Sequence, residues 1–199
     1  MAQAGTAGLI LAGGQGQRFG GPKAFAVLPD GRSFLAACAA TLAEAGARPI
    51  VATLPPCCQE PAVEGARGLR LPAPDLDMFA SLRLGLCALL EGASWAAVVV
   101  LPVDHPLVRP ATVASLAAAV GTGVAAVRPR HDGKHGHPIA MARAVAEGIA
   151  DGRLAGPTLR DVLCTVGAVD LPVADGGVTA NCNTPERLAA ALAQSAAQR

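Results

Sequence analysis

The chain has 199 residues, 52% of them hydrophobic, and a formal net charge of +1. That length suits a single α/β domain over 1–199, and the near-zero charge argues against a nucleic-acid groove or a polybasic membrane patch. With four phenylalanines, one tryptophan and no tyrosine, the core must be built from Val, Leu, Ile and Ala.

The first predicted strand, residues 8–12, runs into the sequence LAGGQGQRFGGPKAF, which ends at Phe25. Gly13, Gly14, Gly16, Gly20 and Gly21 leave backbone amides bare and free to take unusual dihedrals. Arg18 and Lys23 stand five residues apart in the same run. Bare amides beside two cations make a receptacle for a polyanion, most simply a nucleoside triphosphate. A Walker loop requires Ser or Thr after Gly-Lys, whereas Gly20 is followed by Gly21, Pro22 and Lys23. A dinucleotide fingerprint requires glycine where Phe19 stands and an acid closing a second strand, but Asp30 sits in a Pro29-Asp30-Gly31 turn. A loop that merely joins a strand to a helix needs neither five glycines nor the Arg/Lys pair.

A helix is predicted over 34–45 with Ser33 as its N-cap. A strand over 49–53 follows, then a Pro-, Cys- and Gly-rich connection over 55–68 with a short helix in it, and a strand over 69–72. The helix over 78–91 repeats apolar residues at Leu82, Leu86, Leu89 and Leu90. The β-branched strand over 96–101 is fully buried by its pattern and delivers Asp104 at its carboxyl end. A carboxylate there either holds Mg²⁺ together with substrate phosphates or caps the next turn. A helix over 110–120, strands over 124–128 and 138–142, helices over 143–149 and 158–166, and a strand over 168–173 continue the alternation. The last helix, 185–197, starts with Thr184 as cap and Pro185 and Glu186 in its first turn. The alternation predicts a three-layer α/β fold with a mixed, mainly parallel sheet.

Cys38, Cys57, Cys58, Cys87, Cys164 and Cys182 are scattered through apolar segments with no CxxC pair, and read as buried thiols in a reducing compartment. The N-terminus shows neither a basic start nor a long apolar stretch, and the apolar region 78–103 is cut by Arg83, Glu91 and Gly92. A cytoplasmic protein without nucleic-acid or membrane partners is the expectation.

The run from Leu11 to Leu35 resembles the signature of the small nucleotidyltransferases that include the molybdenum-cofactor guanylyl- and cytidylyltransferases. Gly16 replaces a usual serine and Phe19 a usual methionine. LPVDHPLV around Asp104, the Met78–Leu86 segment, GHPIAMAR from Gly136, and Asn181-Cys182-Asn183-Thr184-Pro185-Glu186 extend the likeness over nearly the whole chain. The resemblance implies a Rossmann-like sheet of the glycosyltransferase-A type, with the site at the carboxyl ends of the strands. It implies transfer of NMP from GTP or CTP to a phosphorylated acceptor, molybdopterin, with release of pyrophosphate, and molybdoenzyme maturation proteins as partners. Leu11, Ala12, Gly13, Gly14, Gln15, Gly16, Arg18 and Lys23 would then bind the nucleotide. Asp104 would ligate Mg²⁺, and Arg18, Lys23 and Asp104 would carry a largely electrostatic catalysis without a nucleophilic side chain.

Several residues keep two readings. Ser81 serves either the base and ribose or its own helix backbone. Asn181 and Asn183 touch metal or phosphate, or simply form the turn before the last helix. His137 is a candidate acceptor contact, while His131, His135 and His137 together fit a glycine-rich loop better than a zinc site. Arg128, Arg130 and Lys134 meet an anionic acceptor or stay solvated. The LAGG run and the Asn-x-Asn tail resemble the guanylyl branch, and the Ser81 segment and Asp104-His105-Pro106 the cytidylyl branch. Sugar-, alditol- or lactate-phosphate nucleotidyl transfer and a non-catalytic nucleotide-binding role stay open as alternatives.

Overall fold

Strands whose residues are apolar on both faces need cover on both faces, and that requirement sets the layering of this protein. The computed structural model describes residues 5–14, 16, 21–58, 63, 65–92 and 94–197. Within them, β1 (Thr6–Leu11), β2 (Ala47–Leu54), β3 (Arg67–Arg70), β4 (Ala97–Pro102), β5 (Ala126–His131), β6 (Lys134–His135), β7 (Ile139–Ala142) and β8 (Val169–Pro172) form one eight-stranded sheet. The strand order is β3-β2-β1-β4-β7-β5-β6, and β8 pairs with β5. Strands β3, β2, β1 and β4 are parallel, and β7 runs antiparallel to both β4 and β5.

Among the described residues, six helices cover the sheet: α1 (Phe34–Glu44), α2 (Met78–Leu90), α3 (Pro110–Val120), α4 (Arg143–Ala150), α5 (Leu159–Thr165) and α6 (Pro185–Ala197). Alternation along the strands divides the core. Ile10, Val99 and Leu101 pack with residues of α1 and α3, whereas Leu9, Leu11, Val98 and Val100 pack with residues of α2, α4 and α5. Side chains of this size stabilise by roughly 1.5–3 kcal/mol each when fully buried.

The helix starts follow their signals. The Ser33 hydroxyl accepts from the Ala36 amide at 3.1 Å, and the Thr184 hydroxyl accepts from the Arg187 amide at 3.3 Å. Each such cap contributes about 1 kcal/mol. The predicted strands and helices are present, with ends displaced by a few residues. The two-residue strand β6 was not predicted. It arises because Asp132 and Gly133 take φ of 47° and 75° and fold the chain back, pairing Arg130 with His135. Positive φ at both positions marks the tight hairpin turn that Asp-Gly favours.

In the 55–68 connection, the Cys58 amide donates to the Pro55 carbonyl at 3.1 Å, and Val63 bridges Ala66. Residues 59–62 and 64, in the stretch where a short helix was expected, lie outside the described residues. All six cysteines are free thiols. Cys38, Cys58 and Cys182 are buried, but Cys57 and Cys164 are exposed and Cys87 is half-buried, which corrects the expectation that all are buried. Apolar sequence neighbours do not bury a residue placed in a turn or on the outer side of a short helix. Among the described residues no helix is long and apolar enough to cross a membrane.

What positions the site is the adjacency of β1 and β4. They pair in parallel with Leu11 opposite Pro102, so the turn after β1 and the acid after β4 emerge side by side. The Val103 amide donates to the Leu11 carbonyl at 3.0 Å and prolongs that pairing beyond the last strand residue.

Candidate active site

The turn after β1 is shaped by close approach. Gly16 has φ of 59°, and a Cβ there would lie 2.0 Å from the Gly21 carbonyl oxygen and 2.7 Å from the Lys23 amide. Any side chain would break the turn, so the serine usual at this place in the resembling signature does not fit this backbone. Gly13 lies so close to Leu71 that a Cβ would meet its Cδ1 at 2.3 Å, with the Ser81 hydroxyl at 3.6 Å. Gln15 and Arg18 lie outside the described residues, as do Phe19 and Gly20.

Lys23 opens a short 3₁₀ turn, Lys23–Phe25. Buried Ala24 anchors that turn, and the Phe34 amide ties it to α1 by donating to the Ala26 carbonyl at 2.8 Å. The turn carries the Lys23 side chain into the cleft. There Nζ lies 3.4 Å from Asp104 Oδ2 and donates to Asn183 Oδ1. The Cys182 amide donates to the Asp104 carbonyl at 2.8 Å and holds the Asn181–Asn183 segment against the end of β4. Asn181 Oδ1 is buried and has no hydrogen-bond partner among the described residues. Three residues singled out from sequence, Lys23, Asp104 and Asn183, are thus brought together from positions up to 160 residues apart, and Asn181 lies two residues before Asn183.

The Ser81 hydroxyl donates to the Asp77 carbonyl at 3.0 Å, one turn back in α2, and abuts Gly13. Its proton serves the helix, while its lone pairs stay on the side of the glycine turn. The three histidines of the 131–137 segment go to separate neighbours. His131 Nδ1 meets the Val173 carbonyl at 3.0 Å and His135 Nε2 meets Asp170 at 3.0 Å. Of these three only His137 lies against His105, with ring centroids 5.0 Å apart, and its buried Nδ1 has no partner among the described residues. Arg128 pairs with Asp170 and Arg130 with the Gly133 carbonyl. Among the described residues no three His, Cys, Asp or Glu side chains gather as a metal site.

Burial, and after it the nearby His105, pushes His137 down from its usual 6.5 to about 4, and burial lowers His105 as well. Both rings stay neutral in the fold while their unfolded forms take up protons near 6.5. Stability is therefore full above that pH and is lost as pH falls from about 6.5 towards 4. Urea-denaturation midpoints measured across this window should decline, and a flat profile would contradict the burial of the pair.

A cavity of about 420 Å³ adjoins the cleft. Leu11, Phe79, Leu82, Val100 and Pro102 give it apolar walls, and His137 and Arg160 contribute polar groups. A larger depression of about 620 Å³ beside α1 holds neither Lys23 nor Asp104.

The family follows from this arrangement together with the sequence profile of the MobA-like NTP transferase domain, which matches residues 8–175. The chain belongs to the MobA-like NTP transferase family. Its activity class is accordingly nucleotidyl transfer. No curated protein sequence matches the chain. Among solved structures, Rv0371c from Mycobacterium tuberculosis H37Rv is similar at 26% identity and a TM-score of 0.78, covering 97% of this chain and 100% of that one. The 2-C-methyl-D-erythritol 4-phosphate cytidylyltransferase from Thermus thermophilus is similar at 22% identity and a TM-score of 0.71, with 96% and 99% covered. The molybdopterin-guanine dinucleotide biosynthesis protein A from Archaeoglobus fulgidus is similar at 19% identity and a TM-score of 0.68, with 96% and 99% covered. A structure of the Rv0371c protein in complex with manganese is also similar, at 24% identity and a TM-score of 0.69, with 95% and 98% covered.

Within this MobA-like frame, two residues that sequence reasoning left without a role shape the cleft. His105 lies beside Asp104 and is 4% exposed. Asp175 is buried and accepts from the Arg109 amide at 2.9 Å, the Thr112 hydroxyl at 2.7 Å and the Gly177 amide at 2.9 Å. It clamps the 176–178 turn, whose Val178 carbonyl in turn accepts from the His137 amide at 2.9 Å. An Asp followed by two glycines was the only sequence signal for this role. Asp175→Ala leaves three donors unsatisfied and should lower unfolding free energy by about 3 kcal/mol. A melting temperature unchanged from that of the parent protein would show that water replaces the carboxylate.

Proposed function

We propose that this protein transfers NMP from GTP or CTP to a phosphorylated acceptor, molybdopterin, and releases pyrophosphate. The observation that carries the proposal is the Lys23 ammonium held between Asp104 and Asn183, next in the chain to the glycine-rich turn after β1. In that reading the bare amides of Gly13, Gly14 and Gly16 bind the triphosphate, assisted by Leu11, Ala12, Gln15 and Arg18. Ser81 accepts a hydrogen bond from the base or ribose.

Asp104 fits a hard cation, and Asn183, which shares Lys23 with it, and Asn181 in the same segment would add amide oxygens to hold Mg²⁺. Mg²⁺ bound there would neutralise charge on the phosphate oxygens. The chain's own residues do the rest. Lys23 exchanges its contacts with Asp104 and Asn183 for an α-phosphate oxygen and holds it in line for the acceptor phosphate. The apolar cavity receives the acceptor and keeps water from competing with it, and His137 in its wall contacts it.

The reading is tested by offering GTP and CTP with a divalent ion, with and without molybdopterin, and measuring pyrophosphate. Acceptor-dependent release with one nucleotide is expected. Tight NTP binding with no pyrophosphate from any combination would favour the non-catalytic accessory role. Thermal-shift measurements with the four NTPs identify the base, since a ligand of the folded form raises stability with its affinity.

A further inference from the structure

We infer that His105 is a nitrogen ligand in the metal site and makes that site bind Mn²⁺ more tightly than Mg²⁺. The inference rests on the reading of Asp104 as the metal carboxylate and adds to it a ligand of different chemistry.

The orientation of His105 is fixed from behind. Its Nδ1 lies 3.4 Å from the Gly177 carbonyl oxygen. A carbonyl only accepts, so Nδ1 carries the proton and Nε2 presents a lone pair. Gly177 is itself pinned, because its amide donates to the buried carboxylate of Asp175 at 2.9 Å. An imidazole that gives one N–H to a fixed backbone carbonyl and turns its other nitrogen to a carboxylate has the arrangement of a metal-ligating histidine.

The forward side is equally constrained. Nε2 stands 3.9 Å from Asp104 Oδ1, while Lys23 occupies the other oxygen, Oδ2, at 3.4 Å. Oδ1 and a lone-pair nitrogen therefore face each other with no proton between them, in a setting where His105 is 4% exposed and the Asp104 side chain 16%. Two electron-rich atoms placed in this way can share a cation between them. The spacing suits one: bonds of about 2.1 Å to a shared ion put two ligands between roughly 3 Å (cis) and roughly 4.2 Å (trans) apart. Lys23 stands on the far oxygen of Asp104, and the ring of His137 lies 5.0 Å from that of His105. Mg²⁺ takes oxygen ligands and water, whereas Mn²⁺ accepts imidazole alongside carboxylate.

The test uses the full chain with Mn²⁺ alone as probe. An EPR titration gives Mn²⁺ affinity, competition gives Mg²⁺ affinity, and pulsed EPR reads nitrogen coupled to the bound Mn²⁺. Expected are a ¹⁴N coupling that changes to ¹⁵N in protein carrying labelled histidine, and Mn²⁺ binding at least tenfold tighter than Mg²⁺. His105→Gln should abolish the coupling and weaken Mn²⁺ tenfold while changing Mg²⁺ less than threefold. His137→Gln should retain the coupling. Should His105→Gln not fold, the labelled parent protein still decides whether histidine nitrogen is bound. Mn²⁺ binding that depends on Asp104 but shows no nitrogen coupling overturns this inference and leaves the Asp104 reading intact. Mn²⁺ binding unaffected by Asp104→Ala overturns both.

Discussion

Replacing Asp104 with alanine is expected to lower kcat/KM for pyrophosphate release by about a thousandfold while leaving the fold in place. Two unit charges about 4 Å apart at an effective dielectric near 20 interact by roughly 4 kcal/mol, and each 1.4 kcal/mol corresponds to about a factor of ten in rate. The fold should survive because the structural contribution of this residue lies in its backbone. Its carbonyl accepts the Cys182 amide at 2.8 Å, and alanine keeps that bond. Lys23 also retains Asn183 as a partner. Activity is read as pyrophosphate release at several metal concentrations, with a far-ultraviolet melt as the folding control. A folded variant within tenfold of the parent would remove Asp104 from the reaction.

The second large effect is expected for Lys23→Ala, at about a hundred- to a thousandfold in kcat/KM. Lys23 is about a quarter exposed, and its partner Asp104 is more buried still. Alanine would leave the Asp104 carboxylate and the Asn183 amide oxygen without their shared donor. A small loss of stability, about 1 kcal/mol, should accompany the loss of rate, because the pair is only partly desolvated. The proposed role places the ammonium on charge that grows as pyrophosphate departs, so kcat should fall more than KM rises. Lys23→Arg is not a neutral replacement, since a planar fork cannot occupy the point held by a single nitrogen between two oxygens. A change confined to KM, with kcat preserved, would reassign Lys23 to nucleotide binding alone.

Both variants concern residues that the sequence marked for reasons of local chemistry. Lys23 stood out because a cation followed a glycine run, and Asp104 because a buried apolar strand ended in an isolated acid. Asn181 and Asn183 were marked by likeness to a known tail, and their alternative reading as a turn before α6 is compatible with where they sit. Ser81 shows the same doubling, since its hydroxyl serves the Asp77 carbonyl and also borders Gly13. The basic residues of the 128–134 stretch had an acceptor-binding alternative that the pairing of Arg128 with Asp170 does not favour. His105 was marked only as part of Asp104-His105-Pro106, and Asp175 only by the two glycines after it. A histidine between Asp and Pro, and an aspartate before two glycines, acquire meaning only when distant backbone is placed against them.

The division between chain and fold has a physical basis. Strand and helix periods, the caps at Ser33 and Thr184, and the glycine run are properties of neighbours within a few residues, so local sequence sufficed to specify them. Which strands lie side by side is decided by burial across the whole chain. Placing β4 against β1, rather than beside its sequence neighbour β3, sets Asp104 next to the glycine turn. Folding the tail over the end of β4 brings Asn183 to Lys23 and the 176–178 turn to His105. Those long-range contacts, which no short stretch of sequence encodes, brought Lys23, Asp104 and Asn183 together.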